Sequence, residues 1–207
     1  MEFDSVLRGR FSCRSFDEAR KVSFKVISQV LDAARLAPSA GNLQSWRFII
    51  VTDEKKISKI ASSSLKQLWI NASPVLIVVC SDSKNTKRHF GMRGEFYSIQ
   101  DCAAATTIIL LKAAELGLGA CWVGAFDEET VRSILNIEEG IRPQSIVALG
   151  YTNEKAQEKE RYPLDLVCSY NNFGDRRNDS FFPLDKQVNR AKGSSKRSLR
   201  RFFRRKK

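Results

Sequence analysis

At 207 residues the chain is long enough to bury a hydrophobic core as one domain, and its apolar share of 43% lies in the ordinary globular range. The formal net charge is +12, but residues 186–207 hold 11 Lys/Arg and no Asp/Glu, leaving 24 basic against 23 acidic residues elsewhere; a polycationic body is excluded and only the tail is basic. Five cysteines, an odd number with no C-x-x-C pair, argue against a disulfide framework or zinc site and fit a reducing cytosol.

In chain order, residues 5–9 close a short first helix, and the N-terminal stretch has no apolar run of the kind that marks a secretory signal. Ser23 can cap the next helix, whose apolar face is Val26, Ile27, Val30, Leu31, Ala34 and Leu36. Residues 38–42 break that period and predict a loop. Residues 48–51 are a short β-branched strand, and Asp53 caps a helix over residues 54–62. After Pro74, residues 75–79 are apolar on both faces and predict a central strand. Residues 82–94 are polar, with Lys84, Lys87 and Arg88, and predict a mobile excursion. A long helix follows over residues 95–116, stopped by Gly117 and Gly119. Its apolar part, residues 102–118, carries Lys112 and Glu115 and falls short of a membrane span, so it reads as a buried helix.

Residues 121–123 then lead into a loop. Asp127 caps a helix ending near Leu135, with Glu128 and Glu129 at its positive end. Residues 145–149 form a third strand, and a short element occupies residues 164–170. Cys80, Cys102, Trp46 and Trp122 read as core. Helices separate most of the strands, which gives an α+β class, α/β-like, with a central mixed sheet covered by helices. The domain expected spans residues 1–185, followed by a basic tail over 186–207.

His89 is the single histidine and lies in a polar segment, with no G-x-S-x-G elbow in the chain, so neither a nucleophilic hydrolase nor a His/Cys metal centre is supported. There is also no P-loop and no G-x-G-x-x-G fingerprint. So few acid–base groups point to a cofactor that carries the reaction itself, as a flavin does. An FMN site needs cations for a phosphate dianion, polar groups for the ribityl chain and close backbone approach to the ring. Arg10, Ser12 and Arg14 alternate within five residues and in extended geometry would point the same way. The guanidinium fork suits phosphate. Taken alone, these residues fit a solvated basic turn at least as well.

Four motifs, in order and at matching spacing, resemble the FMN-dependent nitroreductase family. Residues 10–16, RFSCRSF, resemble its R-R-S-x-R-x-F opening. Residues 37–46, APSAGNLQSW, resemble its A-P-S-x-x-N-x-Q-P-W loop. Residues 100–124, from Gln100 through the GLGACWVG turn, resemble its long central helix and G-L-G-x-x-W-x-G turn. Residues 146–151 resemble its late strand ending in Gly-Tyr. Together they cover roughly residues 5–172.

The resemblance implies that Arg10, Ser12 and Arg14, within a cofactor-binding stretch that includes Phe11, hold the FMN phosphate and ribityl chain. Lys159 and Arg161 match a late K-x-R pair that reaches the same phosphate. Pro38, Ser39 and Asn42 would reach the flavin from the second subunit of a homodimer, with Gln44 in the same loop. Val123, Gly124 and Ala125 would run beside the ring. Three positions depart from the pattern. Phe11 stands where arginine is common, Ser45 replaces the proline before tryptophan, and Gly124 occupies a position that is glutamate in one branch. The implied activity is ping-pong hydride transfer from NAD(P)H through FMN to a nitroaromatic or quinone-like acceptor. The alternatives are a flavin-dependent dehydrogenase or oxidase that passes electrons to oxygen, and a binding protein that acts through its tail.

The tail combines six cations with Leu199, Phe202 and Phe203 over residues 198–207, and on a helix those three apolar side chains would share one face. This suits an anionic membrane interface or nucleic acid, and fits a solvated arm equally well. The expected location is cytoplasmic, or peripheral to a membrane.

Overall fold

The computed structural model describes residues 2–157 and 160–175, in two compact units, Met1–Gln157 and Glu158–Lys207. Lys159 and the basic tail lie outside the described residues. The first unit runs α1 (Phe3–Gly9), α2 (Phe24–Ala34), β1 (Trp46–Val51), α3 (Glu54–Ser63), β2 (Val75–Asp82), α4 (Lys84–Phe90), α5 (Arg93–Glu115), β3 (Gly119–Val123), α6 (Glu128–Leu135) and β4 (Ile141–Gly150). The second unit contains α7 (Leu164–Val167).

Local side-chain chemistry starts three of these helices. The Ser23 hydroxyl accepts from the Val26 amide at 3.4 Å, and the Asp53 and Asp127 carboxylates accept from Lys56 and Thr130 at 2.9 and 2.7 Å. Each cap satisfies an amide that has no partner inside its helix.

The fold is α+β. The strands are ordered β1-β2-β4-β3, and every pairing between them is antiparallel. Among the described residues, one parallel bridge, Ser12 to Ala120, lies outside these strands and adjoins β3. β2 is buried along nearly its whole length because both faces of the sheet are covered. Val75, Ile77 and Val79 join α2 and α5 in one core, while Leu76, Val78 and Cys80 join α3 and α6 in the other. That split follows from the period of two along a strand. Each fully buried Ile, Leu or Val in these cores contributes roughly 1.5–3 kcal/mol.

Tertiary contacts override four sequence expectations. Residues 84–90 form a helix rather than an irregular excursion. They are polar, but Thr86 is fully buried and Lys87 pairs with Glu95 at 2.8 Å, so packing on α5 holds them. Residues 119–123 are a strand because they pair with β4, a partner remote in sequence. Leu36 is 77% exposed, since α2 ends at Ala34 and residue 36 leaves its apolar face. Trp122 is 38% exposed on edge strand β3, whereas Trp46 is buried as expected. No helix among the described residues is long and apolar enough to cross a membrane.

Cys13, Cys80, Cys102 and Cys121 are buried and Cys168 is exposed. Burial pushes the Cys80 and Cys102 thiols up to about 12, so neither supplies thiolate near neutrality. In the native protein, Cys168 is therefore expected to alkylate first and the other four only on unfolding. Mass mapping after a short iodoacetamide pulse checks this; early labelling of Cys80 or Cys102 would contradict the packing.

Candidate functional site

After α1 ends at Gly9, the chain runs extended along β3. The Cys13 amide donates to the Ala120 carbonyl at 3.1 Å, and Ser12 forms the parallel bridge. Cys13 is buried and Phe11 packs on the same core. Alternation then turns Arg10, Ser12 and Arg14 the other way. Arg10 and Ser12 are half-buried and Arg14 is exposed. The Arg14 guanidinium carbon lies 5.7 Å from the Trp69 ring centroid, and Trp69 stacks on Phe16 at 6.5 Å. Among the described residues, no carboxylate forms an ion pair with Arg10 or Arg14. The Arg14 amide donates to the Glu154 carboxylate at 3.2 Å, and Thr152 donates to the Ser15 carbonyl at 2.6 Å, which ties this segment to the chain after β4.

Val123 is buried at the end of β3, and Gly124 and Ala125 are exposed just beyond it. An added Cβ on Gly124 would meet nothing closer than the Trp122 ring nitrogen at 3.7 Å, so its outer side is open. The Gln67 side-chain amide donates to the Ala125 carbonyl at 3.3 Å. Residues 10–14, 67–69 and 123–125 thus gather at the β3 edge of the sheet.

Pro38, Ser39, Asn42 and Gln44 lie in a loop built on a 3-10 turn, Ala40–Asn42, that leads into β1. Gly41, Asn42 and Gln44 all have positive φ, at 57°, 55° and 49°. Gly41 is needed twice over: its φ favours glycine, and a Cβ there would approach the Phe90 ring to 3.2 Å. The Ser39 hydroxyl accepts from the Gln44 amide at 3.1 Å. Asp101 of α5, 4% exposed, accepts from the Ala40 amide at 2.9 Å and the Ser45 hydroxyl at 2.7 Å.

The loop leads into the β1 edge and Arg10–Arg14 lies along the β3 edge, at opposite ends of a four-stranded sheet. Those edges are roughly 14 Å apart at normal strand spacing. One chain therefore supplies two separate groups of candidate residues. Arg161 belongs to the second compact unit, where it donates to the Glu160 carbonyl at 3.2 Å.

Trp69, Gln67 and Asp101 were absent from the expected set. The lone carboxylate opening the apolar half of α5 was the available signal for Asp101; only the fold brings Trp69 and Gln67 to the others. An open cleft of about 400 Å3 lined by Asp127, Glu128, Glu129, Arg132, Glu139 and Arg142 contains none of the candidate residues. Its charges serve the fold. Arg142 bridges Glu128 at 2.8 Å and Glu95 at 3.1 Å. The Arg142 hydrogen bond holds Glu128 below the usual carboxylate range, and Lys87 does most of the same for Glu95, with Arg142 adding to it.

A depressed carboxylate stabilises the fold above its unfolded-state value, and the contribution disappears as pH falls through the lower folded value. Glu128→Gln is accordingly expected to lower stability slightly at neutral pH, by less than ~1 kcal/mol for so exposed a pair. The gap should close on acidification below the carboxylate range. Thermal melts across pH check this, and a gap that widens in acid would contradict it.

The Nitroreductase family model matches residues 7–72 and 62–151. A relative from Archaeoglobus fulgidus, provisionally named NADH dehydrogenase/NAD(P)H nitroreductase, is 40% identical over 161 residues, covering 75% of this chain and 87% of its own. The oxygen-insensitive NADPH nitroreductase of Helicobacter pylori is 28% identical over 191 residues, covering 75% and 90%. A solved structure from Clostridium difficile, named FMN-dependent nitroreductase, superposes with a TM-score of 0.69 at 26% identity, covering 82% of this chain and 99% of that one. The family model spans residues 7–151, which include Arg10–Arg14, residues 38–44 and residues 123–125 but not Lys159 or Arg161, and the chain belongs to the nitroreductase family.

Proposed function

We propose that this chain is an FMN-dependent oxidoreductase that uses NAD(P)H to reduce a small nitroaromatic or quinone-like acceptor, and that it works as a homodimer. The observation that carries the proposal is the pair of guanidiniums, Arg10 and Arg14, without an ion-pair partner among the described residues, on a strand-like segment bridged to β3. This donor set suits a phosphate dianion. The Arg14 amide already donates to one anionic oxygen, that of Glu154. The relatives named for NAD(P)H and FMN support the same reading.

When bound, FMN supplies hydride acceptance and donation. The chain's own residues bind, orient and shield it. Arg10, Ser12 and Arg14 would take the phosphate and ribityl end, with Phe11 anchoring that segment in the core and Trp69 steadying the Arg14 plane. Val123, Gly124 and Ala125 would flank the ring, where Gly124 leaves room for close backbone approach.

Pro38, Ser39, Asn42 and Gln44 would come from the second copy, since one chain keeps them at the far edge of its sheet. Exposed Phe3 and Leu7 of α1 and Phe96 and Ile99 of α5 offer an apolar face for that copy. The proposal is tested by titrating the purified protein with FMN while following flavin fluorescence and measuring mass by light scattering. Saturable uptake of one FMN per chain by a dimer is expected; a monomer that retains full flavin would rule out the shared site.

A further inference from the structure

Resting on that flavin reading, we infer that Asp101 and Ser45 form a two-point clamp that sets the height and shape of the 38–44 loop, and that both are positioning residues for the cofactor. The loop needs an external hold. Asn42 and Gln44 carry positive φ, which costs a non-glycine residue energy. Pro38, Asn42 and Gln44 are exposed, so little packing restrains them. Internal bonds curl the loop: the Asn42 amide donates to the Ser39 carbonyl, and the Gln44 amide to the Ser39 hydroxyl. They do not fix it to the body.

Asp101 does. One carboxylate oxygen accepts from the Ala40 amide at the loop's entrance, and the other from the Ser45 hydroxyl at its exit. The carboxylate is almost wholly buried on α5, the helix that fills one core, so both ends of the loop are referenced to the most deeply buried helix of the fold. Among the described residues, no lysine or arginine forms an ion pair with Asp101, so its compensation comes through these hydrogen bonds. The Phe90 ring, edge-on to Tyr97 with centroids 5.3 Å apart, closes the other side against Gly41.

Ser45 gives the clamp its second point. It stands where the resembling motif has proline, which has no hydroxyl to donate. In this chain a hydrogen bond to Asp101 therefore takes over part of the restraint that a proline ring would impose on the loop exit.

The test uses the full-length protein and the variants Asp101→Asn, Ser45→Ala and Ser45→Thr. It measures the Kd for FMN by fluorescence quenching and hydrogen exchange at the Ala40 and Gln44 amides without flavin. Asp101→Asn and Ser45→Ala should each weaken FMN binding about 10-fold, as expected for one lost hydrogen bond to a charged group, and speed exchange at those amides. Ser45→Thr should restore both, because it restores the donor. The two losses should also be less than additive in the double variant, because both substitutions break the one hydrogen bond the two residues share. If Asp101→Asn unfolds the chain, Ser45→Ala and its threonine rescue carry the test. Wild-type-like FMN affinity and exchange in the variants overturn the clamp and leave the flavin reading standing. A wild type that takes up no FMN overturns the flavin reading and the clamp's cofactor role with it, and the exchange data then decide whether the clamp holds the loop.

Discussion

Arg14→Ala is expected to weaken FMN binding by about 1.5–3 kcal/mol, roughly 10- to 150-fold in Kd. The magnitude follows from the guanidinium's setting. Arg14 is exposed, no carboxylate forms an ion pair with it among the described residues, and it rests over Trp69 with its carbon 5.7 Å from the ring centroid. Its charge is thus available and its plane is oriented before a ligand arrives, which reduces the ordering cost of binding. Arg14→Lys should recover only part of the loss, because an ammonium keeps the charge but lacks the two-pronged donor geometry and stacks less well. Dialysis against FMN-free buffer followed by measurement of bound flavin checks this. Equal occupancy in wild type and Arg14→Ala would remove Arg14 from the site.

Gly94→Ala is the second large effect, and local and tertiary arguments predict opposite signs for it. Alanine is the better helix former by about 1 kcal/mol, so α5 taken alone would gain. In the fold, a Cβ at residue 94 would lie 2.2 Å from the Thr86 backbone carbonyl and 2.4 Å from the Lys87 amide nitrogen. Backbone cannot yield as a side-chain tip can, so α4 must move off α5. Overpacking of this kind usually costs about 1–3 kcal/mol, and contact with rigid backbone places this case at the upper end. The net expectation is a drop of several degrees in Tm. Because α4 carries Phe90, which abuts Gly41, FMN affinity should fall as well. A Tm at or above wild type would show that α4 is not packed as described.

The parts of the fold that could be read from the sequence were those decided within a few residues. Ser23, Asp53 and Asp127 cap their helices through amides three positions on, and the uninterrupted apolar run after Pro74 is the doubly covered strand β2. α4 and β3 were not legible, because a distant element decides each of them. α4 depends on the missing side chain at Gly94, and β3 on pairing with the side of β4 away from β2. Leu36 and Trp122 failed as core residues for related reasons: a helix that ends two residues early and a strand left at a sheet edge.

The candidate site divides in the same way. Arg10, Ser12 and Arg14 alternate visibly in the sequence, and residues 38–44 form a recognisable motif. Trp69 beneath Arg14, Gln67 on Ala125 and Asp101 under the loop are joined to them only through tertiary contacts spanning dozens of residues.

The most direct test of the central claim is an anaerobic mixing experiment. The full-length protein, saturated with FMN and freed of excess, is mixed with NADH or NADPH, and the visible flavin absorption is followed before and after a quinone or nitroaromatic is added. The proposed function predicts rapid bleaching by at least one nicotinamide and full return of the absorption with the acceptor. Protein that retains no flavin, or flavin that neither nicotinamide bleaches, would contradict it.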